Sequence, residues 1–425
     1  MNLPTTDQHA DLLARRSALG PAYRLFYDEP FAPVRGQDVW LYDQAGKRYL
    51  DAYNNVPVVG HCHPRIVEAM QRQASTLNTH TRYLHATVLE YAERLLAKFP
   101  SALDTVMFTC TGSEANDLAL RVARAVTGGV GIIVTRNAYH GVTAALADIS
   151  PSLHPTAPHV RTVPAPEAGP GVSAGEARAR FAAHVQQAID DLQRAGIQPA
   201  ALIVDTVFAS DGILVQPQGA LEAAASAIRA AGGLFIADEV QGGFGRMGAH
   251  WWAFQREPVQ PDIVTLGKPM GNGYPLGGMV LRRDLATQFA TRGRYFNTFG
   301  GNPVAAAVGL AVLETLEQEG FLPQVQSVGH YLHTRLTELA MQHDTVIEPR
   351  GGGLYHGLEL VTDKTTLAPA TRLASQVLNR LRRDGVLIGV CGPHANVLKI
   401  RPPLTFTQEH ADQLLAALHS ALAEA

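Results

Sequence analysis

Two short apolar runs, each ending abruptly in a polar group, constrain this chain more than anything else in it. Leu234-Phe235-Ile236-Ala237 stops at Asp238-Glu239, and Ile263-Val264-Thr265-Leu266 stops at Gly267-Lys268. An apolar run of four that closes on a charge reads as a buried parallel strand whose C-terminal end opens into a site. Open α/β sheets bind their ligands outside those carboxyl ends. One strand therefore delivers a carboxylate, and the next an amine 30 positions further on. Gly242, Gly243 and Gly245 lie between them and leave the backbone free to turn.

The amine carries the sharper signal. Only five of the 35 basic residues are lysines (Lys47, Lys98, Lys268, Lys364 and Lys399), and Lys268 stands alone between Lys98 and Lys364. Where arginine fills almost every cationic role, a retained lysine suggests chemistry that arginine cannot perform: deprotonation and Schiff-base formation. The ordinary reading of a lysine is a solvated surface charge. The strand end, the glycines and the acid weigh against that here. A carboxylate for a ring nitrogen and an amine for an aldehyde are what pyridoxal phosphate requires.

The chain around this stretch alternates strand and helix. Strands are expected at 105–109, 130–135 and 200–204, and helices ending at about 126 and running over about 176 to 195 and 219 to 231. This alternation, continued to about 282, predicts a mostly parallel sheet with helices on both faces. Cys110-Thr111-Gly112-Ser113 between strand and helix is an anion cradle, where free N–H groups and the helix dipole favour a phosphate. Ser is also a common N-cap, so the motif is weak alone. Tyr139 at a strand end offers a ring to stack on a planar ligand.

Ahead of the sheet, residues 7–19 read as an amphipathic helix carrying Leu12, Leu13 and Leu19, and residues 38–53 as a β-hairpin. His61, Cys62 and His63 lack a second half-site at metal spacing, so a turn entering a helix at Pro64 and running to about Asn78 is the better reading. His80, Arg82, Tyr83 and His85 crowd one short segment, which is either a solvated loop or an anion site. The Pro-, Gly-, Ala- and His-rich residues 151–175 read as a surface excursion. From about 321 the pattern becomes helix, strand (353–360), helix (369–384), two strands (386–390 and 397–400) and a final helix (407–423). Three parts are expected: 1–65, a helix and hairpin packing with the small domain; 66–320, the large domain; and 321–425, a small α+β domain.

Composition narrows the class. A net charge of −3 with no basic run argues against nucleic acid, and no apolar stretch approaches the length of a membrane span. Three scattered cysteines (Cys62, Cys110 and Cys391) make no disulfide framework and suggest a reducing cytoplasm. No signal peptide is recognisable at the N-terminus.

Taken together, the motifs resemble the class III aminotransferase family of fold-type I pyridoxal-phosphate enzymes, over nearly the whole chain. The resemblance rests on Gly112-Ser113-Glu114-Ala115-Asn116, Tyr139-His140-Gly141, Asp238-Glu239-Val240-Gln241 with Gly243-Phe244-Gly245-Arg246, Gly267-Lys268, Thr298-Phe299-Gly300-Gly301-Asn302-Pro303 and Arg401-Pro402-Pro403. It implies an α/β fold with a seven-stranded, mostly parallel sheet and a smaller α+β domain built from the C-terminal part with the N-terminal segment. It also implies that Lys268 forms the Schiff base and that Asp238 meets the pyridine nitrogen. Val240 would pack under the ring, Gln241 would reach its hydroxyl, and Tyr139, followed by His140, would stack on the other face. Gly112 and Ser113 would hold the phosphate, with Thr298 arriving from a second subunit of a homodimer or dimer of dimers.

Within that family, Tyr53-Asn54-Asn55-Val56, Gly60-His61-Cys62-His63-Pro64 and Leu77 to His85 resemble the phospho-lyases acting on O-phosphoethanolamine and phosphohydroxylysine. A small primary amine, in this branch a phosphorylated one, is the substrate so implied, with Tyr53, Arg82 and Arg401, and also His85, as its binding residues. Two positions depart from the pattern. Asp205-Thr206 stands where many relatives carry glutamate-proline, and Arg401 stands where lyases of the animal type tend to carry lysine. Arg401 is the residue aminotransferases of this class use for a carboxylate, so ω-amine transfer to pyruvate or 2-oxoglutarate stays open beside phosphate elimination.

Overall fold

The computed structural model describes residues 6–166, 172–215 and 217–424. The chain begins with helix α1 (Thr6–Arg15) and strands β1 (Pro33–Gln37), β2 (Trp40–Asp43) and β3 (Arg48–Asp51). Helices α2 (Pro64–Ala74) and α3 (Ala86–Leu96) lead into β4 (Thr105–Thr109), α4 (Gly112–Thr127), β5 (Gly131–Thr135) and the short α5 (Ala144–Ala147). Then come β6 (Val160–Val163), α6 (Ala174–Arg194), β7 (Pro199–Asp205), α7 (Ala220–Ala230), β8 (Leu234–Asp238), β9 (Ile263–Leu266) and β10 (Gly277–Leu281). The remainder is α8 (Arg283–Arg292), α9 (Pro303–Gln318), α10 (Phe321–Gln342), β11 (Arg350–Gly352), β12 (Tyr355–Glu359), α11 (Thr371–Asp384), β13 (Val386–Leu387), β14 (Gly389–Cys391), β15 (Val397–Ile400) and α12 (Gln408–Ala423).

Strands β4 to β10 make one seven-stranded sheet in the order β4-β10-β9-β8-β7-β5-β6. Six run parallel, and β10 lies antiparallel to both neighbours. The central strands are apolar on both faces because both faces are covered. Alternation along β8 sends Phe235 and Ala237 into the core shared with Ala224 and Ile228 of α7. Ile236 points the other way, into the core shared with Leu118, Ala119 and Val122 of α4. This two-sided burial makes the sheet rigid and leaves only the strand ends to carry chemistry.

Two smaller sheets complete the molecule. One is β11-β12-β15-β14, packed under α10 and α11, with α12 lying against both helices. The other is β1-β2-β3-β13, in which the N-terminal β3 pairs in parallel with β13 from the far end of the chain. Leu50 N–H donates to Gly385 O (2.8 Å), and Arg401 N–H donates to Ala52 O (2.7 Å). The C-terminal region is thus stitched to the N-terminal segment by main-chain bonds.

Several expectations need correction. The stretch 151–175 is not wholly a surface excursion: Val160–Val163 is β6, the sheet's edge strand, paired with β5; residues 167–171 lie outside the described residues. Four residues with two valines among prolines and alanines were too short a signal to read as a strand. The helix expected over 7–19 turns 3-10 at Arg16, and Leu12, Leu13 and Leu19 are exposed rather than buried. The helix after Pro64 ends at Ala74, and 33–37 adds a strand to the predicted hairpin. Residues 386–391 divide between two sheets.

Candidate active site

At the carboxyl ends of the central strands two acids stand side by side. Asp205 and Asp238 are in register across β7 and β8, and Asp238 is in register with Thr265 of β9. Three residues beyond Thr265, Lys268 opens a 3-10 turn. Adjacent parallel strands ending at one level are what bring residues 205, 238 and 268 together.

Asp238 is buried and held on both oxygens. Its Oδ2 accepts from Asn116 Nδ2 (2.8 Å) and lies 2.8 Å from His140 Nδ1, while Oδ1 accepts from Val240 N–H (3.0 Å). Lys268 makes no hydrogen bond or ion pair among the described residues. Burial, and then the charge of Arg401, pushes its amine below the ordinary lysine value. An amine that sheds its proton readily is a better nucleophile and base.

Helix α4 supplies the opposite wall. Thr111 caps it by accepting from Glu114 N–H (3.0 Å), which leaves the N–H groups of Gly112 and Ser113 free of helical partners. The space there is tight against the neighbouring backbone. A Cβ on Gly112 would lie 2.9 Å from Val240 Cγ2, and one on Gly267 would lie 3.0 Å from the Gly112 backbone. At Gly141, φ is +139°, and a Cβ would meet Ser113 Oγ at 2.6 Å.

These groups line a cavity of about 200 Å³ that includes Gly112, Ser113, Tyr139, Asp238, Val240 and Lys268, with His140, Asn116, Asp205 and Gln241. Burial, then the Asp238 charge, raises the Tyr139 phenol. The donor set suits a phosphorylated planar aldehyde such as pyridoxal phosphate: a helix N-terminus for the phosphate, a fixed carboxylate for a ring nitrogen, an unengaged amine for the aldehyde, and a valine and a tyrosine as apolar walls.

Behind Gln241 lies a second group of polar residues. Its Nε2 donates to Asp205 Oδ2 (3.1 Å). Its Oε1 accepts from Tyr355 Oη (3.1 Å), Lys399 Nζ (3.2 Å) and the Arg401 guanidinium. Arg401 Nε also donates to Tyr53 O (3.2 Å) and sits over the Tyr53 ring. Burial, then Asp238, raises the Asp205 carboxyl; burial, then Arg401, lowers the Lys399 ammonium.

Sequence-predicted residues thus fall into three places. Gly112, Ser113, Tyr139, His140, Asp238, Val240, Gln241 and Lys268 share one cavity. Tyr53 and Arg401 stand beside it, behind Gln241. Arg82 and Thr298 lie outside: Arg82 is exposed over the Phe296 ring at 3.8 Å, and Thr298 is exposed two residues further along. His85 precedes α3, with its Nδ1 buried and unpartnered. Reading the sequence gave no role to Asn116, Tyr355 or Lys399. Lys399 had a usable signal, since it is two positions before Arg401 on one strand and so shares its face.

Comparison with known proteins agrees with this geometry. The class-III aminotransferase family model matches residues 26–422. An alanine–glyoxylate aminotransferase 2-like protein of Drosophila melanogaster is 38% identical, covering 96% of this chain and 86% of its own length. An ethanolamine-phosphate phospho-lyase homolog of Caenorhabditis elegans is 36% identical, covering 97% and 92%. Among solved structures, a phospholyase from Arthrobacter in complex with phosphoethanolamine superposes with a TM-score of 0.95 at 45% identity, covering 98% of this chain and 100% of that one. An (S)-enantioselective omega-transaminase from Thermomicrobium roseum superposes at 0.88 with 31% identity, covering 98% of each. With a family model matched over residues 26–422 and relatives alike over almost its whole length, this chain belongs to the class-III aminotransferase family of pyridoxal-phosphate-dependent enzymes.

Proposed function

We propose that this enzyme uses pyridoxal phosphate to eliminate phosphate and ammonia from a small amino-alcohol phosphate such as O-phosphoethanolamine. The observation that carries the reading is the likeness to the Arthrobacter phospholyase, 45% identical over 98% of this chain.

The residues present fit the cofactor, which when bound supplies an electron-withdrawing ring conjugated to the amine-bearing carbon of the substrate. Gly112 and Ser113 would hold its phosphate on the free N–H groups of α4. Asp238, fixed by Asn116, His140 and the Val240 N–H, would keep a proton on the ring nitrogen. An opposite charge at contact range raises such a pKa by about 1–3 units, roughly 1.4–4 kcal/mol. Val240 and Tyr139 would bound the ring above and below and exclude water. Lys268, its amine lowered by burial, would take the proton from the amine-bearing carbon. When the neighbouring carbon carries phosphate, that group leaves with the C–O electron pair. Water then yields aldehyde and ammonia.

A second reading is ω-amine transfer to a keto acid. It is favoured by the buried Arg401 guanidinium beside the cavity, which suits an acceptor carboxylate, and by the omega-transaminase likeness.

A second copy of the chain completes this picture. Thr298, Arg82 and Phe296 cluster on a surface where Leu84 is 95% and Phe299 69% exposed. Apolar side chains so exposed together mark a protein contact. Through it Thr298, and with it Arg82, would reach a partner's site. Cys62, Cys110 and Cys391 are all free, which suits a reducing compartment. Among the described residues no helix is long and apolar enough to cross a membrane.

The test is phosphate release from O-phosphoethanolamine by the cofactor-loaded enzyme without a keto acid. Equimolar phosphate, acetaldehyde and ammonia are expected, reduced about 100- to 10,000-fold in Lys268→Ala. Absence of release, alongside turnover of amine with pyruvate or 2-oxoglutarate, overturns the lyase reading in favour of transfer.

A further inference from the structure

The side-chain amide oxygen of Gln241, Oε1, receives three donors: Tyr355 Oη, Lys399 Nζ and the Arg401 guanidinium. Two of these are cationic side chains, Lys399 only 8% and Arg401 only 4% exposed. Among the described residues neither side chain forms an ion pair, and beyond the contacts with Gln241 and Tyr355 the one further acceptor of either side chain is the Tyr53 carbonyl, bonded by Arg401 Nε. A buried cation without a counter-charge is costly, and one neutral amide oxygen with two lone pairs cannot satisfy three donors. The nearby acid does not relieve them. Asp205 already accepts from Val207 N–H, Ala209 N–H and Gln241 Nε2. Asp238, in turn, is engaged by Asn116, His140 and Val240.

The donors converge on one point, and that point borders the cavity, because Gln241 lines it. Lys399 and Arg401 project from the same face of one strand and its continuation. Lys399 Nζ and the Arg401 guanidinium carbon lie over the Tyr355 ring, 5.7 Å and 5.5 Å from its centroid. Two cations and a phenol thus surround one neutral amide oxygen, an arrangement that suits an anion. A carboxylate, with one charge and two oxygens, is met by a single guanidinium. A phosphate monoester carries about −1.5 to −2 charges and three oxygens near neutral pH, and calls for a second cation.

We propose that Lys399 is that second cation: with Arg401 it grips the phosphate of the substrate once Gln241 swings aside, and it sets the preference for a phosphate monoester over a carboxylate. The proposal rests on the phospho-lyase reading and names the residue that makes the site choose phosphate.

The test uses cofactor-loaded enzyme, so that the cradle at Gly112 and Ser113 is already filled. Calorimetric titration with inorganic phosphate, and separately with acetate, is run on wild type, Lys399→Met and Lys399→Arg. Lys399→Met weakens phosphate binding by about 10-fold or more and acetate by less than about 3-fold, as expected for loss of one charge-assisted contact; Lys399→Arg restores most of it. In steady state, KM for O-phosphoethanolamine rises more than kcat falls. Equal weakening of both anions, unchanged phosphate binding, or a wild type that binds acetate as tightly as phosphate overturns the proposal. The last comparison needs no variant, and Lys399→Gln stands in should Lys399→Met not fold. Wild-type phosphate release that Lys399→Met leaves untouched removes the role of Lys399 but keeps the lyase. Lys399-dependent phosphate binding in an enzyme that releases none keeps the subsite but removes the lyase.

Discussion

At the scale of single residues, burial decides what each ionisable group can do. His356 is the plainest case. Its ring is fully buried, its Nε2–H donates to Gly353 O (2.8 Å), and its Nδ1 has no partner. Burial, then the neighbouring His333, pushes it down to about 4 from an ordinary 6.5. The folded chain therefore binds fewer protons than the unfolded one between these values. The contribution is intact above pH 6.5 and is lost as pH falls toward 4, by roughly 3 kcal/mol in all. Denaturant midpoints measured from pH 7 to 4.5 should fall less steeply for His356→Gln than for wild type. Matching slopes would refute the assignment. The same logic separates legible from illegible residues. Asp238 and Lys268 could be read because each ends an apolar run. Tyr355 could not, and Lys399 only through its spacing to Arg401, since their importance depends on which face of the small sheet turns toward the cavity, and that is fixed by contacts over 100 residues away in sequence.

At the scale of elements, α4 does most to position chemistry. Its cap at Thr111 and its first turn set both the cradle and Asn116, which reaches back to Asp238 from the same helix. At Gly112 the helix start closes on Val240. Gly112→Ala puts a methyl against Val240 at 2.9 Å, an overpacking of about 1–3 kcal/mol. Cofactor affinity of the variant, measured by equilibrium dialysis, should fall about 10-fold or more, with little change in helix content by circular dichroism. An unchanged affinity would mean that the wall yields. The sequence revealed α4 and the central strands because their patterns are long or sharply bounded. Strand β6 escaped notice because Val160-Arg161-Thr162-Val163 owes its conformation to β5 beside it rather than to its own composition.

At the scale of the whole molecule, the exposed apolar surface is the feature that a single copy does not explain. Phe296 and Phe299 are exposed on either side of Thr298 in the chain, and Leu84 is exposed two residues beyond Arg82, which sits over Phe296. Leu84→Asp with Phe299→Asp should shift the mass in solution by light scattering from a dimer or larger to a monomer, and should weaken cofactor retention as well. A monomeric wild type, or a double variant that stays assembled, would exclude this face as the contact. Leu12, Leu13 and Leu19 carry a related lesson: the amphipathic spacing is present in the sequence, yet among the described residues no core receives these three side chains.

The parallel pairing of β3 with β13 has a consequence for biosynthesis. Strand β3 is made more than 330 residues before its partner, and Arg401 arrives later still to bond Ala52. While the ribosome translates the intervening chain, that early strand waits with an open edge. The polar group around Gln241, assembled from both ends of the polypeptide, forms only near the end of translation. Trimming the last forty residues would thus erase Arg401 and its main-chain bond to Ala52, and a truncated product would present a sticky edge to chaperones instead of a weakened enzyme.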